Sequence, residues 1–135
     1  MKGVKAKEAF FLIVDDEPDA CWALEHILEK AGASSERAAS GHEALILMKP
    51  HRFRSVFLDA KLPDIEGLEL ARRFREIDPD ISIVIVSGYF SRDDAAIREA
   101  LAKGLICRFI SKPFRHDEIL AAIRMASWAA DSHGS

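Results

Sequence analysis

The run Ile81-Ser82-Ile83-Val84-Ile85-Val86 is apolar at all but one position, and this narrows the fold more than any other feature of the chain. A strand with one wet face alternates apolar and polar residues. A strand apolar throughout is buried on both faces, the condition of a parallel sheet with helices packed above and below. Such a strand needs strand neighbours on each side, and parallel neighbours need long crossovers, usually helices.

The rest of the chain supplies both. Phe10-Phe11-Leu12-Ile13-Val14, Ser55-Val56-Phe57-Leu58 and Cys107-Arg108-Phe109-Ile110-Ser111 read as further strands, and Ser34 to Ala38 as a short, weak one. Between them apolar residues recur at helical spacing. Cys21, Leu24, Ile27, Leu28 and Ala31 follow Pro18 and stop at Gly32, while Ala44, Leu45, Leu47 and Met48 follow a Ser40/Glu43 capping pair and stop before Pro50. Leu68, Leu70, Ala71, Phe74 and Ile77 run to Asp78-Pro79-Asp80. Ala95, Ile97, Ala100 and Leu101 follow the capping residues Ser91 and Asp94 and end at Gly104. A last helix runs from Arg115 to Trp128, with Asp131 to Ser135 as a frayed tail. Five such alternations in 135 residues make one α/β domain, with a core from about residue 9 to 129 and tails at 1–8 and 130–135. Right-handed crossovers then give a flavodoxin-like, three-layer (βα)5 fold, its five parallel strands in the order 2-1-3-4-5.

That order brings the carboxyl ends of four strands to one edge, where open α/β sheets bind ligands. The first strand runs into Asp15-Asp16-Glu17, the third into Asp59, the fourth into Ser87-Gly88 and the fifth into Lys112-Pro113. Singly, each residue reads as well as a helix cap or a surface group. Together they place a polar group of matching chemistry at every one of these buried strand ends. Three carboxylates in one pocket repel, so one of them holds a proton or a cation neutralises them. An all-oxygen donor set describes Mg²⁺ (or Mn²⁺), not zinc, and there is no Asp/Asn ladder of a calcium loop. Ser87 and Lys112 would meet an anionic oxygen from the other side.

A net charge of −3 excludes a polycationic nucleic-acid binder, and no run approaches the ~20 apolar residues of a membrane span. Lys2, Lys5 and Lys7 before the first strand imitate a signal peptide, but the apolar run meets an acidic cluster too soon. Cys21 and Cys107 lack metal spacing and read as small buried hydrophobes, consistent with the cytoplasm. Trp22 and Trp128 read as packing residues, Trp128 also as part of a dimer face. Arg72, Arg73 and Arg75 read as a solvated face, His42 as solvated, and Glu17, Asp64 and Glu66 as turn, capping or solvated groups.

Asp15-Asp16, Leu58-Asp59 with Leu62-Pro63-Asp64 and Gly67, Val86-Ser87-Gly88 and Lys112-Pro113-Phe114, in this order and at these strand ends, resemble the receiver domain of two-component response regulators. The resemblance spans Phe10 to Trp128. It implies that Asp59 takes a phosphoryl group from a histidine kinase or histidine phosphotransfer protein. Asp16 would ligate Mg²⁺ directly, Asp15 through water or a hydrogen bond, and the Lys61 carbonyl would be a further ligand. Lys112 would pair with the phosphate across a cis Lys112-Pro113 bond. Ser87 would move inward, Phe109 would turn after it, and the face made by the fourth helix, fifth strand and fifth helix would change for an output partner or a homodimer. Lys61 and Tyr89 occupy the positions that tune loss of the phosphoryl group.

Departures from the usual pattern are Ser87 for threonine, Phe109 for tyrosine, and a Gly104-to-Phe109 spacing one residue longer than usual. That spacing resembles a variant seen in receivers attached to larger signalling proteins. A silent receiver used only for docking is the alternative. An aspartyl phosphatase would want a second acid where Lys61 stands. A nucleotide or flavin module would want a phosphate-cradling loop where Asp15-Asp16-Glu17 would repel the phosphate.

Overall fold

The computed structural model describes residues 10–134, with side chains to Ala126. The strands are β1 (Phe10–Val14), β2 (Ser34–Ala38), β3 (Ser55–Leu58), β4 (Ser82–Ser87) and β5 (Arg108–Ser111). They form one parallel sheet in the order β2-β1-β3-β4-β5. The helices are α1 (Pro18–Lys30), α2 (Gly41–Met48), α3 (Gly67–Ile77), α4 (Ala95–Ala102) and α5 (His116–Gly134). The fold is therefore the flavodoxin-like doubly wound sheet expected from the strand pattern.

Strand side chains alternate between two separate cores. Leu12, Val14, Val56, Leu58, Ile83 and Ile85 point to the layer of α2, α3 and α4, where they meet Ala44, Met48, Leu70, Phe74 and Ile97. Phe11, Ile13, Phe57, Val84, Val86 and Ile110 point to the opposite layer and meet Leu24, Leu28, Ile119 and Ile123 of α1 and α5. This double burial explains why β4 reads as a continuous apolar run.

The register then sets the edge. Val14 pairs with Leu58, and Leu58 with Ile85, so Asp15 and Asp59 leave the sheet side by side. Ser87 pairs with Ser111, and the Lys112 N–H donates to the Ser87 carbonyl at 2.9 Å. The Lys112-Pro113 bond is cis.

Several local expectations are corrected. Arg75 is not part of a solvated face. It turns inward and donates to the Pro79 and Leu105 carbonyls at 2.9 and 2.7 Å and to that of Ile81, satisfying loop carbonyls before β4 and β5. Cys107 precedes β5 and is exposed, its Sγ 3.0 Å from Ser82 Oγ, whereas Cys21 is buried. Trp22 is 64% exposed. On α1 the inward stripe is Cys21, Leu24, Ile27 and Leu28, which leaves Trp22 outside, stacked on His26 at 5.2 Å. Ile77 is likewise exposed at the end of α3. Ser40 Oγ accepts from Glu43 N as a capping pair should, but Glu43 Oε1 accepts from Ala39 N, one residue outside the usual box. Asp94 occupies the N-cap position of α4, yet its carboxylate accepts from Ser91 N, which precedes the helix. α5 continues to Gly134, past the predicted end at Trp128, since Ala129 and Ala130 favour helix. The expectations for the amino-terminal tail and for the Trp128 side chain lie outside the described residues.

Candidate functional site

Asp15, Asp16 and Asp59 each offer a carboxylate oxygen within 4.8 Å of the others. Asp15 and Asp59 are buried and Asp16 is exposed, so the group is a pocket with one open side. Backbone pairing fixes the buried two. Asp15 N–H donates to Ala38 O at 3.0 Å and Asp59 N–H to Val14 O at 2.9 Å, each continuing the ladder one residue past its strand.

The loop after Asp59 is held from below. A Cβ on Gly67 would lie 2.6 Å from both the Asp59 carbonyl oxygen and Ala60 Cα, so only glycine lets α3 start this close to the Asp59 backbone. The Gly67 N–H closes the turn on Ala60 O at 2.8 Å, and Lys61 bridges to Glu66. Asp64 caps a different helix from the one it precedes. Its carboxylate accepts from Gly41 N and His42 N, both at 2.9 Å, and its pKa is lowered by those two backbone bonds. A side chain on Gly41 would collide with Ile65. The loop after β3 and the start of α2 are thus one packed unit.

Lys112 enters from β5. Its Nζ lies 2.8 Å from Asp15 Oδ2, 2.9 Å from Glu17 Oε1 and 3.8 Å from Asp59 Oδ2. Burial alone would lower its pKa, but the hydrogen bonds to Asp15 and Glu17 and the charges of Asp15 and Asp59 more than offset this and leave it raised. Asp59 moves up to about 6, first because burial disfavours its charge and next because Asp15 repels it; Lys112 and the Lys61 N–H only partly offset that rise. Ser87 is fully buried, and its Oγ accepts from Tyr89 N at 2.9 Å and Phe90 N at 3.2 Å, which leaves its proton available to donate. Lys61 Nζ stands 4.3 Å above the exposed Tyr89 ring, a cation–π contact between the loops after β3 and β4. Phe109 is only 3% exposed and already packs in the α2–α4 core. The ring thus lies inward in this structure, where a side chain without a phenol has no polar tip to keep in water.

The donor set suits a hard divalent cation: three carboxylates, no His or Cys among them, and a buried acid whose pKa is raised first by burial and next by the charge of Asp15. The structure brings Asp15, Asp16, Asp59 and Lys112 together, with Lys61 beside them through an N–H donated to Asp59 Oδ1 at 3.4 Å. Asp64, read as a turn, capping or solvated group, does cap, though the helix it caps is α2, and Glu17, read the same way, is exposed at the N-cap position of α1 with Lys112 as a partner. The signal for Glu17 was a third acid directly after an acid pair, opposite a lysine. For Asp64 it was Gly41 at a helix start after a two-residue approach, a cap with room for a foreign carboxylate.

Comparison with known proteins gives the same picture. The family model described as the response regulator receiver domain matches residues 11–124. The sporulation initiation phosphotransferase F of Bacillus subtilis is 34% identical over 113 residues, covering 84% of this chain and 89% of that protein. Other curated relatives at the same identity are about twice as long, the chain spanning 48% of them. A receiver domain protein from Methanospirillum hungatei superposes with a TM-score of 0.83 at 27% identity, over 92% of this chain and 97% of that one. A response regulator from Burkholderia pseudomallei, solved with a phosphorylated aspartic acid, calcium ion and citrate, superposes with a TM-score of 0.75 at 26% identity, over 93% and 72%.

Proposed function

The chain belongs to the response regulator receiver family, and on that premise we propose that it is a phosphoacceptor switch with Asp59 as the acceptor. The observation that carries this reading is the juxtaposition of Asp59 with two further carboxylates on one side and an ammonium on the other. Asp15, Asp16 and Asp59, with the Lys61 carbonyl, would hold Mg²⁺ or Mn²⁺. Such a cation, when bound, neutralises charge shared between the acceptor and phosphoryl oxygens.

The chemistry asked of the chain's own groups is positioning and charge stabilisation. A carboxylate oxygen of Asp59 attacks phosphorus in line, the bond from phosphorus to a donor histidine nitrogen breaks, and that nitrogen leaves with the electron pair. The product is an acyl phosphate on Asp59. Lys112 pairs with a phosphoryl oxygen, and Asp15, engaged by Lys112 and by the Glu17 N–H, orients the ammonium. The Ser87 hydroxyl donates its remaining hydrogen bond to another phosphoryl oxygen. Ser87 is also the acceptor for Tyr89 N and Phe90 N, so its movement pulls the β4–α4 loop. With Phe109 already buried, the switch begins in that loop and reaches the face of α4, β5 and α5 through it. A histidine kinase or phosphotransfer protein as donor, an output partner or second copy on that face, and a cytoplasmic setting follow from the same reading. No helix among the described residues is long and apolar enough to cross a membrane.

The test is incubation with acetyl phosphate, with and without Mg²⁺. A phosphoryl mass on Asp59 that requires the cation, and is lost in Asp59→Asn, is expected. Its absence in the wild type would remove the reading in favour of a docking module.

A further inference from the structure

We infer that Glu17 is a positioning residue for Lys112, a latch that keeps the ammonium on the β1 side of the acid pocket until a phosphoryl group draws it across. The inference rests on the phosphoacceptor reading and concerns regulation of that same site. The two short contacts of Lys112 Nζ, at 2.8 and 2.9 Å, both run to the loop after β1; the contact to Asp59 is 3.8 Å. The latch is anchored at each end. Residue 17 is the N-cap position of α1, its N–H donates to Asp15 Oδ1 at 2.9 Å and its carbonyl accepts from Cys21 N at 3.1 Å, which fixes its backbone. The backbone of Lys112 is tied to Ser87 O.

An ammonium has three donors. Phosphoryl oxygens arriving at Asp59 add acceptors on the far side of Lys112, so the weakest present bond yields first. Asp15 is buried, whereas the Glu17 side chain is 64% exposed and its pairing is screened by water. Glu17 is therefore the partner released, and its hold opposes the modified state. Removing it should favour the phosphorylated form by about two- to five-fold, the range of an exposed ion pair.

The full chain with Mg²⁺ and acetyl phosphate provides the test, comparing wild type, Glu17→Gln, Glu17→Asp and Asp19→Asn. Glu17→Asp keeps the charge but is one methylene short of Lys112 and is better suited to capping its own helix. Asp19→Asn removes a charge from the same first turn without touching the lysine. The expected result is that both Glu17 variants raise the ratio of modified to unmodified protein by about two- to five-fold while Asp19→Asn leaves it unchanged. If Glu17→Gln and Asp19→Asn rise together and Glu17→Asp does not, diffuse charge is responsible and the latch is wrong; it is equally wrong if no variant differs from wild type.

The side-chain ammonium resonance of Lys112 in the unmodified protein gives a readout independent of phosphorylation. It should shift in both Glu17 variants, and an unchanged resonance overturns the latch. Wild type that takes no phosphoryl group removes the functional reading. Wild type that takes one, with Glu17 variants no different, removes only the latch.

Discussion

The two ends of the sheet handle buried polarity in opposite ways. At the amino-terminal end no group of three carboxylates crowds together among the described residues, and hydroxyls, a ring nitrogen and an inward cation meet neutral partners. Ser55 Oγ donates to Ser82 O at 3.0 Å, Ser82 Oγ meets Cys107 Sγ, His51 Nδ1 meets Leu47 O, and Arg75 donates to the Ile81 and Leu105 carbonyls. Phe10, His51 and Phe53 pack there as a ring cluster with centroids 4.7–5.5 Å apart. At the carboxyl-terminal end, carboxylates crowd within 4.8 Å and one has its pKa pushed up to about 6. One end closes the fold. The other holds a carboxylate whose charge is disfavoured by burial and by the charge of Asp15, which a cation or a proton relieves, and departures from local consistency are expected where they serve function. Removing a buried group should therefore destabilise the first end and stabilise the second.

The largest effect belongs to packing at the amino-terminal end. Phe53→Ala removes a buried ring from the cluster with Phe10 and His51, and a loss of about 3–4 kcal/mol is expected in urea unfolding. A loss under about 1 kcal/mol would mean that the cluster contributes little and the contrast is overstated.

At the opposite end, Asp59→Asn should raise stability in chelator at neutral pH. The folded-state pKa of about 6 lies above the ~3.9 of an unfolded aspartate, so the folded protein holds the extra proton between those values. The contribution of Asp59 to stability is fully present below about pH 4, is lost as pH rises toward 6 and levels off above it, a difference of about 3 kcal/mol for two pKa units. Asp59→Asn should abolish that loss, and Mg²⁺ should shrink the gap between the two proteins. A wild-type profile flat from pH 4 to 7 would show that the Asp59 charge is not disfavoured there.

Ser55→Ala sharpens the comparison at smaller scale. It leaves the Ser82 carbonyl without the hydroxyl that donates to it, and a loss of about 1 kcal/mol is expected. The sign is the point: a buried polar group is removed in both variants, and only at the carboxyl-terminal end does removal help.

The same contrast explains what was legible in the sequence. Strand order and the acid pocket were readable because both follow from short-range pattern: a run such as Ile83 to Val86 can be buried only one way, and the residue after each strand inherits its place from the ladder. Arg75 was misread because its partners are loop carbonyls brought in by the fold, and Trp22 because it lies off the inward stripe of α1; Asp64 caps as read, but which helix it caps, and which lysine meets Glu17, only the fold shows. Asp64 serves an amide 23 residues away, and Lys112 reaches Glu17 across 95. A charged residue on a helix period says which way its Cα faces but not whether a long side chain bends back to a loop.

The smallest effect concerns one helix read on its two faces. Trp22 and Leu24 are two residues apart on α1, and composition alone makes the tryptophan look the more important. Leu24 is 1% exposed and sits among Ile13, Leu28 and Ile119 of one core, so Leu24→Ala should cost about 2–4 kcal/mol. Trp22 keeps 64% of its surface in water and touches its own helix through His26, so Trp22→Ala should change stability by no more than about 0.5 kcal/mol. In a Trp128→Phe variant, where Trp22 is the remaining indole, its fluorescence should also be quenched by added iodide in the folded protein, as that of a buried indole would not be. A stability loss above about 1.5 kcal/mol for Trp22→Ala would place the ring in a contact that the helix period does not allow, and with it would fall the assignment of α1's inner face.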